Sequence, residues 1–376
     1  MKRFVLIPDS FKGTMSSMEV CSIMAEQIHR RYPDANILSL PVADGGEGSV
    51  DAYLRTMGGE KKIVSVQGPY GCDIPSFYGI IGHDTAVIEM AACAGLPLAG
   101  KDLRPMDTTT FGVGQLMLNA VECGSRHLIL GLGGSCTNDG GAGAAAALGI
   151  RFISESGEFF IPTGGTLKDI AHIDISGLNP LIRSASIEAI CDVDNPLTGV
   201  NGAAYVFGPQ KGANEEVVRL LDAGLCNLSS IVRKDLGFEI DTVPGSGSAG
   251  GMGAGMMAFF GAKLRPGIEV MLDAVQFDEA IAYADMVFTG EGKLDEQSLR
   301  GKVISGVARH TKKLGVPLVA IVGDIGDNID GIYELGVNAV FSINRVAADF
   351  SIVRSRCRKD LAQAMDNLMR FMLSCT

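Results

Sequence analysis

Residues Gly131 to Gly141 read GLGGSCTNDGG, a dense run of close-approach and hydrogen-bonding groups suited to an anion. The apolar run HLILGL before them reads as a buried strand, and AGAAAALGI after them reads as a small-residue helix. A strand, a glycine turn and a helix in that order present backbone N–H groups and a positive helix end to a phosphate. Gly133 and Gly134 let the backbone come close to such a group. Ser135, Thr137 and Asn138 add side-chain donors and acceptors. Asp139 adds a carboxylate, which a phosphate tolerates only beside a cation or a reacting hydroxyl. A tight turn onto a closely packed helix would also need the glycines, but the polar residues inside the turn favour a ligand.

Two more segments carry phosphoryl-transfer chemistry. The strand pattern IEAICD ends in Asp192, followed by Asp194, Asn195 and Pro196, and FGPQKGA (207–213) holds Lys211 in a glycine loop. Carboxylates hold magnesium, a lysine neutralises phosphate charge, and one carboxylate can position the attacking hydroxyl. Each segment alone also reads as an ordinary turn with a solvated lysine.

Four further clusters adjoin apolar runs. Asp9, Ser10 and Lys12 come at the end of KRFVLIPD and just beyond it. Asp44, Gly45, Gly46 and Glu47 come after NILSLPV. Glu291, Lys293 and Asp295 follow MVFTG, and Asp324 follows PLVAIVG. Ligands of an open parallel sheet bind outside the carboxyl ends of its strands, so these clusters are expected along one edge. One of them could be an Asx turn; four together favour a site.

The elements that position these groups follow from the hydrophobic pattern. The chain opens strand–helix–strand–helix, with a helical pattern from Ser16 to about Arg31 and another from near Glu47 to Gly58. Its end repeats that order, with strands at 286–290, 317–323 and 339–343 and a last helix over about 353–374. This alternation predicts a parallel α/β sheet. The middle, with segments such as GPYGCDIP and SFYGIIG, reads as short strands and turns. The expected architecture is a Rossmann-like parallel-sheet domain over 1–62 and 284–376, interrupted by an inserted mixed α/β domain over 63–283.

Composition narrows the function. With 376 residues the chain can build two sizeable cores. Its net charge of −11 argues against nucleic acid as a partner. Its 49 glycines exceed the roughly 7% of ordinary usage, and they cluster in turns. Nine scattered cysteines without a CxxC pair, and no signal peptide, point to a reduced cytoplasmic setting. Isolated histidines make zinc an unattractive ligand. The run from Thr242 to Lys263, uncharged up to its closing lysine, is too rich in glycine and serine for a membrane span. GLPLAGKD, from Gly95, matches the spacing of a phosphate loop but has Asp102 where the magnesium hydroxyl belongs. GSGSAG, Gly245 to Gly250, matches a dinucleotide fingerprint but follows no convincing strand.

Taken in order, PDSFKG, ADGGEG, IEMAACAGL, GLGGSCTNDGG, CDVDNPLTG, FGPQKGA, GSAGGMGAG and TGEGKLDEQS resemble the motifs of the type-1 bacterial glycerate kinases. They span nearly the whole chain. Cys93 and Cys136 stand where alanine is usual in that family, and Ile304 where proline is common. The resemblance implies ATP-dependent, magnesium-assisted phosphorylation of D-glycerate, with 2-phosphoglycerate favoured as product. From the chemistry of the residues themselves, Asp9, Ser10 and Lys12 would hold glycerate. Gly133, Gly134, Ser135, Thr137 and Lys211 would meet ATP. Some of Asp44, Glu47, Glu291 and Asp295 would supply the Mg2+ ligands, and Asp192 is the candidate base, with Asp9 and Asp194 as rivals. The other classes left open are a dinucleotide-dependent oxidoreductase built on GSGSAG and a non-catalytic sensor of a small acid. Oligomeric state stays open.

Overall fold

Phe4 and Leu6 pack on one face of the first strand, Val5 and Ile7 on the other, and all four are fully buried. Successive side chains of a strand point to opposite faces, so this strand needs cover on both sides, as in the interior of a parallel sheet. The computed structural model describes residues 1–42, 48–299 and 302–374. In chain order the strands are β1 (Arg3–Pro8), β2 (Asn36–Ser39), β3 (Glu60–Gln67), β4 (Asp73–Ile81), β5 (Thr85–Glu89), β6 (His127–Gly131), β7 (Arg151–Ile153), β8 (Phe159–Phe160), β9 (His172–Asp174), β10 (Ser186–Ile190), β11 (Lys263–Arg265), β12 (Met286–Leu294), β13 (Leu318–Ile325) and β14 (Ala339–Ser342).

The chain divides into two compact units, Met1–Asp44 with Pro266–Thr376, and Gly45–Arg265. In the first unit β14-β13-β12-β1-β2 form one parallel sheet. Helices Ser17–Arg31 and Phe350–Ser374 cover the face carrying Phe4, Leu6 and Phe288. Helices Gly267–Ala274 and Val303–Leu314 cover the face carrying Val5, Ile7 and Val287. This is the expected doubly covered α/β layer. The helix Ser17–Arg31 starts where Ser16 and Glu19 make a capping box: Ser16 Oγ accepts from the Glu19 N–H at 3.2 Å, and Glu19 Oε2 accepts from the Ser16 N–H at 2.9 Å.

In the second unit the sheet order is β11-β10-β6-β5-β4-β3. Its first four strands run parallel, and β4 and β3 turn antiparallel. A separate three-stranded sheet, β8-β7-β9, adjoins in sequence. The mixed α/β character matches the sequence reading. The unit bounds at 44 and 266 differ from the 62 and 284 read from the hydrophobic pattern. The helix Ser49–Met57 explains part of the shift: Val50 and Leu54 pack so closely on β4 that a Cβ at Gly79 would lie 3.0 Å from Val50.

The uncharged stretch carries the helix Ser248–Phe260, interrupted near its start by non-helical backbone at Ala249, Gly250 and Gly251. Among the described residues no helix is long and apolar enough to cross a membrane.

Candidate functional site

In the second unit Glu89 of β5, Gly131 of β6 and Ile190 of β10 stand side by side in register. The parallel strands therefore deliver Glu89, the glycine turn and the Asp192 loop to one edge, where parallel sheets bind ligands. Asp192 and Asp194 are exposed there.

The turn differs in one respect from its sequence reading. The helix after it, Ala142–Ala147, has only six residues, and its first N–H groups are taken from within. Asp139 Oδ2 accepts from the Thr110 N–H at 2.6 Å, the Thr110 hydroxyl at 2.8 Å and the Gly143 N–H at 3.2 Å. Its Oδ1 accepts from the Gly141 N–H at 3.3 Å, and the Thr110 hydroxyl accepts from the Ala144 N–H at 2.9 Å. The anion expected at this helix end is the chain's own Asp139. Burial pushes its carboxyl pKa up, and these donors pull it back. An external anion is left the earlier part of the turn, around Gly133 to Thr137. There Gly134 adopts φ +77°, which a side-chain-bearing residue rarely takes.

Lys211 supplies the cation on that part. It lies in the 3₁₀ turn Pro209–Lys211 and is 2% exposed. Its Nζ donates to Ser135 Oγ at 2.9 Å and to the Thr137 carbonyl at 2.6 Å. Burial lowers its pKa to about 8, against the raising influence of Cys136 and Asp139. Thr137 Oγ1, both polar atoms of the Asn138 carboxamide and Ser246 Oγ are buried with no hydrogen-bond partner among the described residues. Buried polar groups are seldom left so.

GSGSAG supports this turn instead of forming a dinucleotide loop. No strand directly precedes it; the nearest described element before it is the helix Glu215–Leu236. Ala249, Gly250 and Gly251 are successively left-handed, and the Gly140 N–H donates to the Gly250 carbonyl at 3.1 Å. A Cβ at Gly250 would lie 2.0 Å from the Thr137 carbonyl oxygen. The strand–turn–helix context of a dinucleotide site is missing. GLPLAGKD likewise lacks a phosphate-loop context, since its core is the 3₁₀ turn Leu96–Ala99.

In the first unit the chain leaves β1 for β2 in one direction and returns to β12 on the other side of β1. The carboxyl ends of β1 and β12 mark this switch point, the usual ligand crevice of an open α/β sheet. Asp9 sits there, its N–H bonded to the Gly290 carbonyl at 2.8 Å and its carboxylate to the Ser10 N–H at 2.6 Å. β12 runs on to Leu294, so Glu291 and Lys293 lie inside the strand and not after it. Asp324 is likewise inside β13, in register with Lys293. Lys12 is exposed.

Glu291 is 5% exposed, and its Oε1 has no hydrogen-bond partner among the described residues. Burial pushes its carboxyl up to about 7, opposed by a Ser298 hydrogen bond and the Lys302 charge and reinforced by Asp9 and Asp295. Glu291 thus feels the charge of both Asp9 and Asp295. Asp44 and Glu47 lie outside the described residues. Among the described residues no group of three or more His, Cys, Asp or Glu side chains is arranged to hold a metal ion.

Several working residues had no assigned role in the sequence reading. Thr110 anchors Asp139; its only signal was the run Thr108-Thr109-Thr110 ahead of a helix. Glu89 is buried and accepts from the N–H groups of Gly48 at 3.1 Å and Val50 at 2.5 Å, capping the helix Ser49–Met57. A lone acid ending a buried strand was its signal.

The chain matches the profile of the Glycerate kinase family over residues 4–373. It is 45% identical to a glycerate kinase of Halalkalibacterium halodurans over 91% of each chain. It is 43% identical to a glycerate 2-kinase of Escherichia coli, over 91% of this chain and 90% of that one. A crystal structure of a putative glycerate kinase 2 from Salmonella typhimurium LT2 superposes with a TM-score of 0.88 at 39% identity, covering 99% of this chain and 98% of the other.

Proposed function

Because the chain belongs to the glycerate kinase family, we propose that it transfers the γ-phosphoryl group of ATP to the 2-hydroxyl of D-glycerate, with Mg2+, giving 2-phosphoglycerate. The observation that carries the nucleotide part is Lys211. A buried ammonium is held on the glycine turn by Ser135 and Thr137. These use two of its three N–H donors, and the remaining one suits a phosphate oxygen. Gly133, Gly134, Ser135 and Thr137 line that approach.

Glycerate is assigned to Asp9, Ser10 and Lys12 at the end of β1. Ser10 and the Lys12 ammonium take its carboxylate, and Asp9 takes a hydroxyl. Asp192 is assigned to orient or deprotonate the attacking hydroxyl, a role its exposed place at a sheet edge permits.

The residues present fit a magnesium ion in one respect. The orphaned Oε1 of buried Glu291 asks for a partner from outside the chain, and magnesium in such sites needs only one or two carboxylates beside the phosphates. One or two of Glu291, Asp295, Asp44 and Glu47 would hold it. When bound, the ion neutralises phosphate charge. The chain's own part is alignment and charge neutralisation by Lys12 and Lys211.

The test is incubation with ATP, Mg2+ and D-glycerate, followed by product identification. ATP consumption that needs neither glycerate nor the metal would reject the reading.

A further inference from the structure

We propose that a cavity within the first unit, lined by Phe11, Asp324, Ile343, Asn344 and Val353, is an adenine pocket that selects the nucleotide's base. This rests on the ATP-dependent reading above and extends it to base recognition, which the phosphate-side residues do not address.

The cavity holds about 200 Å³. Pockets for whole drug-sized ligands span roughly 300–1,000 Å³, so it suits one ring system and not an entire nucleotide. It lies at the carboxyl edge of the parallel sheet, drawing on the loop after β1, on β12 and β13, on the segment after β14 and on the last helix. Its side walls are apolar: Phe11, Ile343 and Val353. A three-carbon hydroxy acid has almost no apolar surface to set against them, whereas a purine has two apolar faces.

Between β12 and β13 the lining is backbone alone. Gly292 and Gly323 both border the cavity, and a Cβ at Gly323 would lie 2.2 Å from the Gly292 carbonyl oxygen. The close approach of β12 and β13 requires glycine at 323, and neither glycine adds a side chain to the lining.

The polar groups then choose the base. An ionised carboxylate only accepts hydrogen bonds, while a carboxamide both donates and accepts. Asp324 suits the exocyclic amine of adenine, and Asn344 suits the ring nitrogen beside it. Guanine places a carbonyl oxygen where adenine carries that amine, which sets two acceptors against each other at Asp324. Arg354 also lines the cavity and supplies positive charge suited to a phosphate chain.

Three measurements on the full-length protein test this. Wild type should prefer ATP to GTP by about tenfold or more in kcat/KM, and Asp324→Asn should erode that preference. Val353→Trp, which fills the cavity, should raise KM for ATP by about tenfold or more, and by more than it raises KM for D-glycerate. Photolabelling of wild type with 8-azido-ATP should mark the peptide spanning 343–357, and this decides the matter even where Val353→Trp fails to fold. Equal use of ATP and GTP, an unchanged KM for ATP in folded Val353→Trp, or label confined to residues outside 11–14 and 323–357 would overturn the pocket. Wild type that phosphorylates glycerate with no nucleoside triphosphate would instead remove the kinase reading beneath it.

Discussion

The Lys211 ammonium donates to the hydroxyl of Ser135 at 2.9 Å, across 76 residues of sequence and with both residues buried. One contact thus ties a 3₁₀ turn to the glycine turn and fixes a positive charge beside it.

That charge predicts two opposite pH trends. Burial lowers the Lys211 pKa from 10.5 to about 8. Between those values the unfolded chain binds more protons than the folded one, so this group's share of stability rises with pH across that window. Phosphate attraction falls over the same range as the charge is lost. Thermal midpoints and KM for ATP, measured from pH 7.5 to 10, should show a rising contribution to stability and a rising KM. Lys211→Met should flatten both and lower kcat/KM for ATP by about a hundredfold or more. A KM in Lys211→Met equal to that of wild type would contradict the assignment.

Glu291 predicts the reverse slope. Burial raises its carboxyl from 4.5 to about 7, so between those values the folded state binds more protons and its contribution to stability falls as pH rises. In EDTA, Glu291→Gln should remove that slope and be at least as stable as wild type at pH 8. It should also be severely impaired in Mg2+-dependent turnover. A variant less stable than wild type at pH 8 would show that the carboxylate is structurally required.

Asp139 should behave as an anchor. It gathers donors from Thr110, Gly141 and Gly143, and removing it leaves buried N–H groups unpaired. Asp139→Ala should lose about 3 kcal/mol or more, and Thr110→Val about 2 kcal/mol, in urea unfolding. Unchanged midpoints would mean that the turn does not depend on this network.

How much was legible in the sequence follows from the range of the interactions. The doubly covered sheet could be read because β1 is apolar on both faces and Ser16 and Glu19 cap the next helix locally. The extension of β12 through Gly292 and Lys293 could not, because glycine and charge read as loop. Pairing with Val322, Asp324 and Ile325 of β13 holds it extended. The positive helix end at Ala142 misled for a similar reason. Thr110 lies 29 residues before Asp139, so nothing local announced that the helix start was already taken. The sequence of FGPQKGA let its lysine be proposed as a phosphate partner, but the burial of that lysine against Ser135 is a product of the fold.

Asp192 divides chemistry from binding. If it orients or deprotonates the glycerate hydroxyl, Asp192→Asn should lower kcat by about a hundredfold or more and leave ATP affinity intact. Steady-state kinetics with a separate nucleotide-binding titration checks this. Near-normal turnover would pass the role to Asp9 or Asp194.

The most direct measurement is NMR of the product formed from ATP, Mg2+ and D-glycerate by the wild-type chain. The account predicts phosphorus coupled to carbon 2 of glycerate, formed only when all three components are present. Phosphorus on carbon 3 would contradict the proposed product, and no phosphorylated glycerate at all would contradict the central claim.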